Sequence, residues 1–343
     1  MSINERPGVY TSYEVSSAVS GRSGAKAVGL AAQGAGAAGE VTVLTSYAQA
    51  VSAFGSGSNA AELARILLEN GASRVIATPV ASGAAAEDYA AAFAALMGQS
   101  AVSLMVCDSR LAGVHAAMKA AIMGGGENYK YRIGVVEADG TAAELTALAA
   151  AINCERMAMV GNTVKNGLAG AAAAAAAGCI AAGTDPALPL NGAVLYGLGE
   201  LSHSFSDSDV SLLIQGGVTP IEDVSGEISV IRGVTTRTTT SGVSDATWRE
   251  LTTVLIVDDV IPAVRTALKT RFSRAKNTAQ TRGAIRTQVM IELESKLRAQ
   301  IIDSYGAVSV AADGTDPTVC CVSFDFTVAH GLNSVKLTAY ITV

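Results

Sequence analysis

Aromatic side chains are scarce in this 343-residue chain, at 5% of residues, and charged ones make up only 16%. Three histidines, His115, His203 and His330, stand far apart, and none has a second histidine or cysteine at the spacing a metal needs. The five cysteines, Cys107, Cys154, Cys179, Cys320 and Cys321, are odd in number and match no zinc or redox pattern. They read as reduced, mostly buried small residues of a cytosolic protein. No excess of basic charge points to nucleic acid, since the net charge is -6. The N-terminus lacks a basic region followed by an apolar stretch, so export by a signal peptide is not expected. The one long uncharged stretch, residues 166–184, is nearly all alanine and glycine. It is too weakly hydrophobic for a membrane span and reads as a buried helix.

Half the residues are hydrophobic, supplied by Ala, Val, Leu and Ile, with 35 glycines. The length suits about two domains. So little charge fits a surface covered by further copies of the chain, and equally a core-rich α/β protein.

The first twenty residues read as an extended arm. Arg6-Pro7-Gly8 forms a turn, and Val9, Tyr10, Thr11, Tyr13 and Val15 follow as strand-type residues. From about residue 25 to 182, short apolar runs alternate with helical stretches. The runs are 27–31, 41–44, 74–80, 102–107, 131–136 and 157–160. Asn59 with Glu62, and Thr141 with Glu144, have capping-box spacing, and Gly71 is a stop signal. Alternation of this kind predicts a layered α/β domain with a largely parallel sheet. After Asp185-Pro186 the texture turns to β-type runs at 210–214, 228–231 and 254–257. A helix is expected from Asp258-Asp259 with Pro262 in its first turn, and another over 284–302. Two closing strands are expected at 318–328 and 335–343. The expected division is an arm (1–20), an α/β domain (21–185), a mixed C-terminal domain (186–334) and a strand arm (335–343) that includes Leu337, Tyr340 and Val343.

The candidate chemistry dissolves when each motif is read in context. Gly34-Ala35-Gly36-Ala37-Ala38-Gly39 has the letters of a dinucleotide fingerprint. That motif needs a helix at its last glycines to aim amides at a pyrophosphate, and a strand-like Glu40–Leu44 follows instead. Gly124-Gly125-Gly126 lacks the Lys-Ser/Thr of a phosphate loop. No Gly-x-Ser-x-Gly elbow occurs. Asp207 and Asp209 lack the glycine and distal glutamate of a calcium loop and read as a solvated turn, His203 beside them as solvated, and His115 as a partly buried surface residue. Asp258-Asp259 reads as helix-dipole complementation. No catalytic, cofactor-binding or metal-binding residue is assigned.

Charge segregation is the sharpest positive feature. Arg265, Lys269, Arg271, Arg274, Lys276, Arg282, Arg286, Lys296 and Arg298 face only Glu292 and Glu294 in the same stretch. Such a dipole suits head-to-tail association or an acidic partner, or else a helical hairpin whose basic face meets acids of the same chain.

Arg6-Pro7-Gly8-Val9-Tyr10, Leu213-Ile214-Gln215-Gly216-Gly217-Val218-Thr219-Pro220-Ile221 and Ser229-Val230-Ile231-Arg232-Gly233-Val234-Thr235-Thr236 resemble, in content and order, segments of contractile tail sheath proteins. The tract 257–272 and the closing strands resemble the same family's C-terminal domain. The resemblance covers the arm and roughly 190–343; the middle is judged by texture alone. It implies a non-enzymatic subunit without cofactor that polymerises around a tail tube, its terminal arms adding strands to neighbours. It also implies contraction on a baseplate trigger. The implied partners are further copies, the tail tube protein, and baseplate and tail terminator proteins, with no nucleic acid and no membrane insertion. Assembly is expected in the bacterial cytoplasm, into a phage tail or phage-like particle. Arg282 and Arg286, then Lys276 and Arg274, are the expected tube-facing residues. Two other readings remain open: a nicotinamide- or nucleotide-binding α/β enzyme, and a different self-assembling tube or shell protein.

Overall fold

A computed structural model describes residues 26–126, 131–333 and 337–338. The expected arm residues Val9, Tyr10, Thr11, Tyr13, Val15, Tyr340 and Val343 lie outside the described residues, whereas Leu337 is described and exposed.

The six apolar runs of the first half all become strands of one sheet. These are β1 (Ala27–Gln33), β2 (Thr42–Leu44), β3 (Val75–Val80), β4 (Val102–Cys107), β5 (Ile133–Ala138) and β6 (Met157–Gly161), in spatial order 2-3-1-4-5-6. All neighbours run parallel except β2, which is antiparallel to β3. β3, β5 and β6 are buried along their whole length, as strands covered on both faces must be. The intervening helices are α1 (Tyr47–Phe54), α2 (Asn59–Glu69), α3 (Ala86–Met97), α4 (Ala112–Gly126), α5 (Ala142–Ile152) and α6 (Ala171–Ala182). Alternation along β1 shows how the layers divide. Val28, Leu30 and Ala32 join α1, α2 and α6 in one core, while Ala27 and Ala31 join α3, α4 and α5 in the other.

Two capping signals resolve differently. Thr141 caps α5 with its Glu144 box, as the spacing predicts. At α2 the cap is Ser58, whose Oγ accepts from the Ala61 amide; Asn59 is released for another partner. The uncharged stretch forms α6, buried over most of its length. Only side chains this small let α6 sit so close to α2: a Cβ on Gly178 would lie 2.6 Å from Asn70 Cβ and 2.8 Å from the Leu67 carbonyl.

The second half departs more from expectation. Residues 210–214 lie in a helix, α7 (Asp207–Gln215), not a strand. Ser206 caps it with Asp209, so Asp207 and Asp209 form a helical first turn rather than a free loop. The hairpins β7 (Ile221–Val224) with β8 (Glu227–Val230), and β9 (Thr239–Thr240) with β10 (Val243–Ser244), follow. Residues 254–257 are also helical. α8 runs Leu251–Phe272, starting before Asp258 and placing Pro262 in its interior. β-branched residues disguised it, but the helix is held from two sides. Leu251, Val254 and Leu255 enter the large core, and Ile256, Val260 and Val264 enter a separate one. Tertiary burial outweighs the intrinsic preference. α9 (Ala279–Arg298) begins five residues before the expected start, capped by Thr278. Ile302 then opens β11 (Ile302–Tyr305), followed by β12 (Ser309–Ala312), β13 (Cys320–Ser323) and β14 (Phe326–Val328). The strand expected over 318–328 is thus split in two at Phe324-Asp325.

Candidate functional site

The C-terminal half ends in a ribbon laid on a helical hairpin. β11 pairs antiparallel with β14, and β12 with β13, as one two-stranded ribbon with a joint where the Gly306 amide donates to the Asp325 carbonyl. A Cβ at Gly306 would lie 2.3 Å from the Asp325 carboxylate, so a larger residue there would have to turn that side chain aside. From residue 320 to 328 even-numbered side chains turn inward and odd-numbered ones outward, unbroken across the joint. Val322, Phe324, Phe326 and Val328 pack with Val260, Val289 and Leu293 of α8 and α9. Among the described residues each strand of the ribbon has a single partner, so both outer edges present unpaired backbone donors and acceptors. A two-stranded ribbon is marginal alone, and an open edge is a template for a further strand.

The basic tract divides once its partners are seen. Lys296 pairs with Asp259, Arg298 with Glu294, and Arg271 with Gln288. Arg265 lies over the Tyr131 ring. Arg282 is half-buried, its Nη1 3.0 Å from Asn277 Oδ1. Arg274, Lys276 and Arg286 are exposed, and among the described residues no carboxylate pairs with them. Part of the tract therefore meets acids of its own chain, and part faces outward.

Asp258 and Asp259 do not cap a helix. Arg156 forks onto Asp258 with two contacts of 2.8 Å, and Lys296 holds Asp259. The guanidinium groups of Arg156 and Arg265 both lie over the Tyr131 ring, 4.9 and 5.8 Å from its centroid. Arg156 and Tyr131 fasten α8 to the α/β layer, and Lys296 fastens it to α9. Tyr131, Asp258 and Asp259 line a cleft of about 290 Å³ together with Lys26 and Arg132. Burial pushes the Lys26 ammonium down, partly offset by Asp259 and Asp258.

This cleft opens at the amino ends of β1, β4 and β5, whereas doubly wound sheets bind cofactors outside the carboxyl ends, where the strand order reverses. Here that point lies between β1 and β4, and it is filled. The buried Asp108 carboxylate accepts from the Gln33 amide at 2.8 Å, Asn59 Nδ2 at 2.8 Å and the Tyr89 hydroxyl at 2.6 Å. Burial and this bond push the Tyr89 phenol far up. The amino end of α6, another potential anion site, is met by Glu137, which accepts from the Ala172 amide and pairs with Arg110. The Gly34–Gly39 loop leads into β2 and, as expected, has no helix at its glycines. His115 is more buried than expected, with Nε2 3.0 Å from the Ser109 carbonyl oxygen. His203, expected to be solvated, contacts Asp139 at 2.8 Å. Among the described residues no group of three or more His, Cys, Asp or Glu side chains could hold a metal, and no helix is long and apolar enough to cross a membrane.

A six-stranded α/β layer fastened to a helical hairpin and an open-edged ribbon defines a two-part α/β protein whose outward features are backbone edges and basic side chains. The chain belongs to the phage tail sheath family. The family model for the phage tail sheath protein central domain matches residues 82–236, and that for the phage tail sheath C-terminal domain matches 243–342. Solved structures share the fold across nearly the whole chain. A chain of the anti-feeding prophage baseplate superposes with a TM-score of 0.74 at 16% identity, covering 99% of this chain and 100% of that one. The contracted helical sheath of the anti-feeding prophage gives 0.69 at 16% identity, covering 99% of each. The sheath tail protein of Desulfitobacterium hafniense gives 0.69 at 11%, covering 94% of this chain and 100% of that one. No curated protein matches the chain by sequence.

Sequence reasoning missed the Asp108 cluster and the Arg156–Asp258 fork. Asn59 carried a signal, since a second cap candidate beside Ser58 leaves one polar side chain spare. Arg156 carried none, because its partner lies 102 residues away.

Proposed function

We propose that this sheath subunit polymerises around a tail tube by exchanging terminal strands with its neighbours, and contracts to drive the tube through a target envelope without catalysing a reaction. The observation that carries this reading is the ribbon of β11–β14, whose two open edges can each accept a strand. Residues 1–20 and 335–343 are the proposed donors, through Val9, Tyr10, Thr11, Tyr13 and Val15 at one end and Leu337, Tyr340 and Val343 at the other. Added strands bind through main-chain hydrogen bonds, so the linkage persists while subunits reorient. Contraction draws on better burial between subunits and needs no nucleotide. The filled crevice at Asp108 supports that half of the reading over a nucleotide-binding enzyme.

Arg282 and Arg286 on α9 are assigned to an acidic tube surface. Exposed pairs are worth about 0–1 kcal/mol each. Repeated over many subunits, such contacts template assembly yet release on contraction. Assembly takes place in the bacterial cytoplasm, and the ends of the polymer meet baseplate and terminator proteins. The relatives described as a baseplate and as a contracted helical sheath are consistent with both roles.

Negative-stain imaging of the full chain produced with its tube protein is the direct test. Long striated cylinders are expected. Smooth thin tubes or closed shells would mean another kind of assembly. Dispersed particles with saturable calorimetric heat on adding NAD or ATP would mean an enzyme.

A further inference from the structure

The hairpin β7–β8 carries an unusual exposed face. Its register sets Glu222 opposite Ser229, Asp223 opposite Ile228, and Val224 opposite Glu227. Ser225 and Gly226 close it with φ of 59° and 89°, the two left-handed residues of a tight two-residue turn that matches strand twist. Ile221, Ile228 and Val230 anchor one face in the large core. The other face shows Glu222, Val224 and Glu227, and Val224 is 55% exposed. Two carboxylates therefore flank an exposed valine, and among the described residues no cation pairs with either. Like charges on neighbouring strand positions oppose the pairing, so a cationic partner would relieve them.

Elsewhere on the same chain lies a surface of opposite character. Asn277, in the turn between α8 and α9, donates to the Pro317 and Val319 carbonyl oxygens at 2.8 and 3.0 Å and so fixes a groove of about 440 Å³. Phe272, Ala275, Ile285, Pro317 and Cys320 give it an apolar lining, and Lys276 stands on its margin with Arg274 two residues away. Those two cations are unpaired among the described residues. The hairpin is rooted in the large core, whereas the groove lies between the α8–α9 turn and the loop before β13.

We propose that the β7–β8 tip of one copy seats in this groove of the next, with Val224 on the apolar lining and Glu222 and Glu227 against Lys276 and Arg274. The occupant is a second copy of this chain, chosen on charge complementarity and on an exposed apolar residue matched to an apolar floor. Two different surfaces meet, so the contact is head-to-tail and extends into a ring or helix instead of closing as a dimer. It rests on the sheath reading and adds to it. Strand exchange tethers neighbours through backbone bonds that are indifferent to side chains, while this contact sets register by charge. It adjoins the tube contact assigned to Arg282 and Arg286, since Arg282 reaches Asn277 at the groove, and it takes Lys276 and Arg274 out of that tube-facing set.

The test uses the full chain and two charge reversals, E222K/E227K and R274E/K276E, with circular dichroism confirming that each stays folded. At about 150 mM salt, each alone should raise the concentration at which the chain polymerises by about tenfold or more. An equimolar mixture should return it towards the wild-type value, because each reversed surface then meets its complement on the other variant. Wild-type polymerisation with both thresholds unchanged, or a loss that mixing does not restore, overturns the proposal. Failure of the wild-type chain to polymerise at all, with its tube protein present, overturns the sheath reading instead.

Discussion

Single side chains settle what the carboxyl end of the sheet does. Asp108 is 4% exposed and ties β1, α2 and α3 together through Gln33, Asn59 and Tyr89. Asp108→Ala would strand a buried hydroxyl and two half-buried amide donors, so a loss of about 2–4 kcal/mol is expected by urea unfolding. Asp313 acts locally: it accepts from the Thr315 hydroxyl and from the Thr315 and Asp316 amides, which hold its carboxyl down at about 2. Its folded value lies below the ordinary one of about 3.9, so its contribution is complete above that pH and is lost as pH falls towards 2. The protection factors of the β12–β13 turn amides, corrected for the intrinsic exchange rate at each pH, should therefore fall below about pH 4, and Asp313→Asn should remove that acid dependence.

Elements show where local preference and packing disagree. The strands β1 and β3–β6 are both locally favoured and buried, so their periodicity was readable. α8 was not, because its run Leu251–Val257 favours strand in isolation and is helical where two cores claim its faces. α6 makes the packing limit measurable. Gly178→Ala would press a methyl group against Asn70 and the Leu67 carbonyl, costing roughly 1–3 kcal/mol despite alanine's better helix propensity. A rise in melting temperature would show that α2 and α6 can separate without penalty.

At the scale of the whole molecule, folding and assembly should be separable. The α/β layer and the helical hairpin each have a core made of described residues, so removing residues 1–20 should leave a cooperative melt while abolishing cylinders in negative stain. Loss of the cooperative melt would mean that the segment completes a core. Arg282→Glu with Arg286→Glu should leave self-association intact and disrupt co-assembly with tubes, giving empty or contracted cylinders. Tube-filled extended cylinders at normal yield would place that face elsewhere.

Periodicity, capping chemistry and the missing helix after Gly39 determined, from residues alone, a layered α/β half without a dinucleotide loop. These features are local, and each concerns residues within a turn or two of one another. The sequence also displayed the basic tract as a block of charge. Only the tertiary structure decided which of its members are spent within the chain, because Lys296 meets Asp259 across 37 residues. Likewise, Asp258-Asp259 read as a dipole partner until Arg156, 102 residues distant, was brought against it. The doubly buried α8 shows the same division. Spacing states what a segment can form, while the surfaces that close over it select among those forms, through burial free energy that no short window contains.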